Sequence, residues 1–116
     1  MKTIIAGGRT YSNYNILLKA IEESEYNITE VVCGGAKGVD SLGAKWAKEK
    51  NIPIKYFLPN WYKFGKSAGP LRNKNMSEYG EALIALWDYE STGTKNMIKQ
   101  ATEKGLKVFV YDLRGK

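Results

Sequence analysis

The sequence predicts an α/β fold: a doubly wound parallel sheet of five strands with helices on both faces. Three observations carry that expectation. Short apolar runs of strand length alternate with stretches whose apolar residues recur at helical spacing. Glycines close the first two runs. The most continuous run, "EALIALWD" (81–88), has no polar alternation, as expected of a strand covered on both faces.

The elements follow in chain order. "KTIIAGG" (2–8) reads as the first strand, ended by its glycines. Residues 13–24 place Ile16, Leu17, Ala20 and Ile21 on one face of a helix. "EVVCGG" (30–35) is the second strand. Residues 40–50 form the second helix, with Leu42, Trp46 and Ala47 inward and Asn51 and Pro53 beyond its end. "IKYFLP" (54–59) is the third strand, and the loop "NWYKFGKSAG" then leads to Pro70, which suits the first turn of a short helix over 70–79. Strand four covers 81–88. A helix over 94–104 turns Met97, Ile98 and Ala101 inward and stops at Gly105, and "KVFVYDL" (107–113) completes the sheet.

Alternating strands and helices require crossover connections, and the simplest doubly wound order is 3-2-1-4-5. Ligands of such sheets sit beyond the carboxyl ends of the strands, where the winding reverses. Here that point lies between strands one and four. Three loops meet there: "GGRTYS" (7–12), "GGAKGVD" (34–40) and "DYESTGT" (88–94).

Composition narrows the function. A chain of 116 residues, 43% of them hydrophobic, has the length of one domain with a folded core. The start, "MKTIIAGGRT", lacks a signal peptide's apolar segment, and no run is long enough to span a membrane; the expected location is cytoplasmic. One cysteine, Cys33, allows no intrachain disulfide and no zinc-type cluster. The absence of histidine removes Ser-His-Asp and Cys-His catalysis and HExxH metal sites together. No metal or cofactor is required by what remains. The net charge is +6, and residues 45–74 hold the excess, with eight basic groups against Glu49 alone. That stretch is either a solvated face or a field that draws in an anion.

The loops carry the chemistry. "GGAKGVD" is neither a GxxxxGK[ST] nor a GxGxxG motif, but it feeds a helix start, where free N–H groups and the dipole favour an anion. The alternative is a glycine turn with Asp40 capping the helix. "STGTKNM" (91–97) repeats the arrangement through Ser91, Gly93 and Thr94. Arg9 points into the same crevice, and "AGPLRNKNM" adds Arg72 and Asn73, the arginine fork suiting phosphate or carboxylate. Asp40, Asp88 and Glu90 are the crevice acids; Asp88 is the best placed for catalysis, with a turn-forming role as its alternative. Trp61, Tyr62 and Phe64 are expected to staple the sheet edge, or else to form a lid that stacks on a base. Trp46 and Trp87 read as packing, and Cys33 as a small buried residue.

The segments "IIAGGRTYSNY", "VVCGGAKGVDSLGAKWAKE", "WYKFGKSAGPLRNKNM", "ALIALWD" and "STGTKNMIKQA" together resemble the SLOG superfamily, and within it the small YspA-type group. The superfamily also holds the Lonely-guy enzymes and the DNA-processing protein A domain. The resemblance implies a Rossmann-like fold that binds a nucleotide or nucleotide-derived ligand. It assigns phosphate contacts to Gly34, Gly35, Ala36, Lys37 and Gly38, to Gly93 and Thr94, and to Arg72. With Gly7, Gly8, Arg9, Asp40, Asn73, Asp88 and Ser91 these make the candidate ligand-binding set. Lonely-guy enzymes resemble PGGxGTxxE; here Thr94 is followed by Lys95, Asn96 and Met97, so that glutamate is missing.

The expected function is therefore a sensor or sequestering module for a nucleotide-derived small molecule. The alternatives are a nucleotide N-glycosidase or phosphoribohydrolase, and a single-stranded nucleic-acid module on the basic 45–74 stretch. Nucleic acid ranks last. Open sheet edges and the aromatic loop predict a homo-oligomer, a dimer or higher.

Overall fold

A computed structural model describes residues 1–114. Its five strands are β1 (Lys2–Gly7), β2 (Glu30–Cys33), β3 (Ile54–Tyr56), β4 (Ala82–Trp87) and β5 (Lys107–Asp112). All pair in parallel, in the expected order β3-β2-β1-β4-β5. The helices are α1 (Tyr14–Ser24), α2 (Val39–Glu49), α3 (Trp61–Phe64), α4 (Ala68–Tyr79) and α5 (Thr92–Glu103), with a 3₁₀ turn at Gly65–Ser67.

The two-residue period of the strands divides the core between two faces. Ile5, Val31, Ile84 and Leu86 point to one side, where Leu17 and Ala20 of α1 and Val39, Trp46 and Ala47 of α2 cover them. Ile4, Val32, Leu83 and Ala85 point to the other, beneath Met76 of α4 and Met97 and Ala101 of α5. Each fully buried Val, Leu, Ile or Met side chain among them contributes about 1.5–3 kcal/mol relative to exposure. β1 and β4 are buried along most of their length, which explains why they are the most apolar runs. No helix among the described residues is long and apolar enough to cross a membrane.

Two expectations are corrected. The 60–69 loop is a helical turn, α3, followed by the 3₁₀ turn, and α4 begins at Ala68 rather than Pro70. Asn60 starts α3, its Oδ1 accepting from the Lys63 amide at 3.0 Å. The aromatic trio does not staple the sheet edge: Trp61 is 48%, Phe64 44% and Tyr62 fully exposed. The trio lies instead on α3, none of whose residues is buried, after β3 has ended at Tyr56.

Candidate functional site

The carboxyl ends of β1 and β4 open into a cleft of about 730 Å³. Gly7, Gly8 and Arg9 bound it on the β1 side, Asp88, Ser91, Gly93 and Thr94 on the β4 side, and Arg72 and Asn73 come from α4. Ala36 and Asp40 close the end toward β2. Eleven members of the candidate set thus share one cavity. Gly34, Gly35, Lys37 and Gly38 are not among its lining residues.

What lies against those glycines explains their absence from the cleft. A Cβ on Gly34 would meet the Arg72 guanidinium at 2.0 Å, and one on Gly35 would meet Leu58 at 2.3 Å. Gly38 adopts φ 74°, ψ −128°, a conformation that L side chains rarely take, and a Cβ there would lie 2.2 Å from the Gly8 carbonyl oxygen. That carbonyl accepts the Val39 amide at 3.2 Å. The first N–H of α2 is therefore used by the chain itself. These glycines clear space for the protein's own chain and the Arg72 head, whereas nothing lies within 4 Å of a Cβ on Gly8 or Gly93.

Asp40 does not cap α2, because the kink at Gly38 starts the helix one residue earlier and Gly38 takes the cap position. From the first turn Asp40 reaches back, and its Oδ2 accepts the Gly34 and Ala36 amides at 3.1 and 3.3 Å. The side chain is only 7% exposed. Burial pushes its carboxyl above the ordinary range, against the opposing pull of the Ala36 amide, Arg72, the Gly34 amide and Arg9.

Arg72 spans the site. Its Nη1 donates to the Gly34 carbonyl at 2.8 Å and its Nε to Asn73 Oδ1 at 2.9 Å. A guanidinium carries five N–H donors, so donors remain for a ligand in the cleft. Burial lowers its pKa, with the Asp40 charge acting in the opposite direction. Asn73, 5% exposed, donates Nδ2 to the Gly93 carbonyl at 3.3 Å and to Asn96 Oδ1 at 3.0 Å. The arginine is thereby tied to β2 and to the start of α5 at once.

Ser91 caps α5, its Oγ accepting the Thr94 amide at 3.3 Å and lying 2.9 Å from Thr94 Oγ1. The turn before it is built on Asp88, whose Oδ1 accepts the Glu90 and Ser91 amides, both at 2.8 Å. The Ser91 amide, then the Glu90 amide, holds this exposed carboxyl below its ordinary range. Asp88 is thus an ionised turn-former. Trp87 braces the same turn: Nε1 donates to the Ser91 carbonyl at 3.1 Å, and the indole stacks on Tyr89 at 4.1 Å. Tyr89 itself sits at φ 68°.

Trp61 lines the cleft, where the sequence offered it only as the alternative of a lid, and Lys66 and Asn96 were missed as lining residues. Trp61 faces Arg9 across 5.9 Å. Cations flanked by aromatics in 60–66 were the available signal; for Asn96, two residues beyond Thr94 on α5, there was none. Cys33 is fully buried, and burial raises its thiol to about 11.

Matches to known proteins bear on the family and the fold. The model of the YspA, cpYpsA-related SLOG family matches residues 1–64, which include β1, β2 and the Gly34–Asp40 loop. The chain belongs to this SLOG family. Gene 61 protein of Mycobacterium phage D29 is 28% identical over 117 residues, covering 92% of this chain and 93% of that protein. The fold is similar to that of DNA processing protein A from Streptococcus pneumoniae, with a TM-score of 0.77 and 18% identity. That likeness covers 98% of this chain but 52% of the other, so this SLOG chain spans about half the length of that protein.

Proposed function

We propose that this SLOG chain binds a small nucleotide or nucleotide-derived phosphorylated ligand in the β1–β4 cleft, as a sensor or sequestering module. One observation carries the reading: Arg9, Lys66 and Arg72 surround the same cavity as the start of α5. The first amides of a helix have no intrahelical acceptor, and its dipole favours negative charge there. Gly8 and Gly93 leave the backbone open to close approach, and an anion beside Arg72 would offset the desolvation of its guanidinium. Family membership supports the same class of ligand.

Two of the three crevice acids are used by the fold, which supports binding over turnover; Glu90 lines the cleft with its carboxylate exposed. Asp88 is committed to its turn and Asp40 to the 34–36 loop, and the Lonely-guy glutamate is missing. The test is a thermal-shift panel of mononucleotides, NAD, cyclic ADP-ribose derivatives and cyclic dinucleotides, followed by mass spectrometry of the heat-released ligand. A stabilising compound recovered intact, with the shift reduced in Arg9→Ala, is the expected result. Recovery of free base and ribose phosphate would replace binding with hydrolysis. No shift from any of them would overturn the nucleotide reading.

A further inference from the structure

A second groove, of about 470 Å³, opens on the far side of the 34–36 loop. It lies between α2 and the end of β3, and it shares Ala36 and Asp40 with the first cleft. The loop is thus a low partition between two compartments. It is a fixed one, because both Gly34 and Ala36 amides are held by Asp40 and the Gly34 carbonyl by Arg72.

The second compartment has the chemistry of a nucleotide site of its own. Tyr56, 46% exposed, offers a ring face at the end of β3. Lys45 and Lys48 bring positive charge along α2. Lys48 forms no ion pair among the described residues, while Lys45 lies over the Tyr14 ring at 4.3 Å. Glu49, the one acid on that wall besides Asp40, accepts a hydrogen bond from the Tyr14 hydroxyl. Ring stacking plus a cation is the sequence-tolerant way proteins hold a base and its phosphate. Each compartment alone falls within the usual size range of a small-molecule site, roughly 300–1,000 Å³. A mononucleotide in the first would leave the second unfilled.

We infer that the ligand is a dinucleotide that crosses the 34–36 loop, one nucleotide in the β1–β4 cleft and the second base on Tyr56 with its phosphate facing Lys48. This rests on the proposed nucleotide reading of the first cleft. The test compares dissociation constants for the four 5′-mononucleotides and the four linear homodinucleotides, with cyclic di-AMP and cyclic di-GMP as closed forms. The wild type is measured beside Tyr56→Ala and the exposed-surface variant Lys48→Glu. The expected result is a preference of about tenfold or more for a dinucleotide over its mononucleotide, the size of one stacked base. Each variant should remove that preference, read as the ratio of dinucleotide to mononucleotide affinity within the same variant, which a change in fold stability alone does not move. Linear against cyclic binding tells which form spans the partition. Mononucleotides bound as tightly as dinucleotides, or a preference untouched by both variants, would overturn the inference and leave the first cleft's reading standing. Binding of neither size would overturn both.

Discussion

Gly38→Ala tests whether the glycines of "GGAKGVD" serve the protein's own backbone. At φ 74°, ψ −128° a methyl group is strained before any contact is counted, at a cost of about 1–3 kcal/mol. The contact adds to it. The new Cβ would stand 2.2 Å from the Gly8 oxygen and 2.6 Å from the Arg9 carbonyl carbon and oxygen, all backbone atoms that no rotamer change can move. Relief requires the β1 loop to withdraw from α2, which gives up the hydrogen bond from the Val39 amide to Gly8, worth about 1 kcal/mol net. The sum, about 2–4 kcal/mol, is a large share of the roughly 5–15 kcal/mol stability of an ordinary domain. With a urea m-value of about 2 kcal/mol/M, the middle of the usual range, the midpoint should fall by about 1–2 M. Unfolding can be followed by the fluorescence of three tryptophans, one of which, Trp46, is buried on the α2 face of the sheet. Gly8→Ala is the matched control, since its methyl meets nothing within 4 Å. A loss below about 1 kcal/mol for Gly38→Ala, or an equal loss for Gly8→Ala, would refute the reasoning.

Three further outcomes are expected. Asn73→Ala removes hydrogen bonds to Arg72, Gly93 and Asn96 from a buried position, and urea titration should find about 2–3 kcal/mol lost; under about 1 kcal/mol would mean that α4 and α5 are not joined there. Asp40 titrates above the ordinary carboxylate range, so in the window above the unfolded-state value the native state holds more protons than the unfolded chain, and stability falls as pH rises. Urea midpoints between about pH 4 and pH 7 should therefore drop for the wild type relative to Asp40→Asn; a flat or opposite difference contradicts the burial-driven shift. Cys33, buried and raised to about 11, should resist an aromatic disulfide reagent until urea unfolds the chain, and labelling of the native protein at the rate of a free thiol would count against its place in the core.

The sheet was legible because its signals are local. Ile4 and Ile5, Val31 and Val32, and the "ALIALW" run each needed only period and length to become strands, and the winding rule then ordered them. The cleft was legible for the same reason: three loops at known strand ends had to converge. What escaped was which partner comes close. A glycine in sequence marks a close approach without saying whether a ligand, a carbonyl or an arginine makes it, and at Gly34, Gly35 and Gly38 the neighbour proved to be Arg72, Leu58 and the Gly8–Arg9 backbone. Asp40 read from sequence as a helix cap or a ligand contact; that it faces the 34–36 amides instead is fixed by the single residue at which Gly38 starts α2. Trp61, Tyr62 and Phe64 are exposed on α3, and the end of β3 at Tyr56 follows its pairing with β2 over three residues rather than its own apolar pattern.

The central claim is that an anionic nucleotide enters between β1 and β4 and meets the start of α5. Titration of the isotope-labelled protein with adenosine monophosphate, read by amide chemical shifts, tests it most directly. The account predicts that Gly8, Arg9, Thr92 and Gly93 move first and furthest, with the response weakened in Arg9→Ala. Shifts confined to Trp61–Phe64 and the lysines around them, with the α5 amides unmoved, would contradict it.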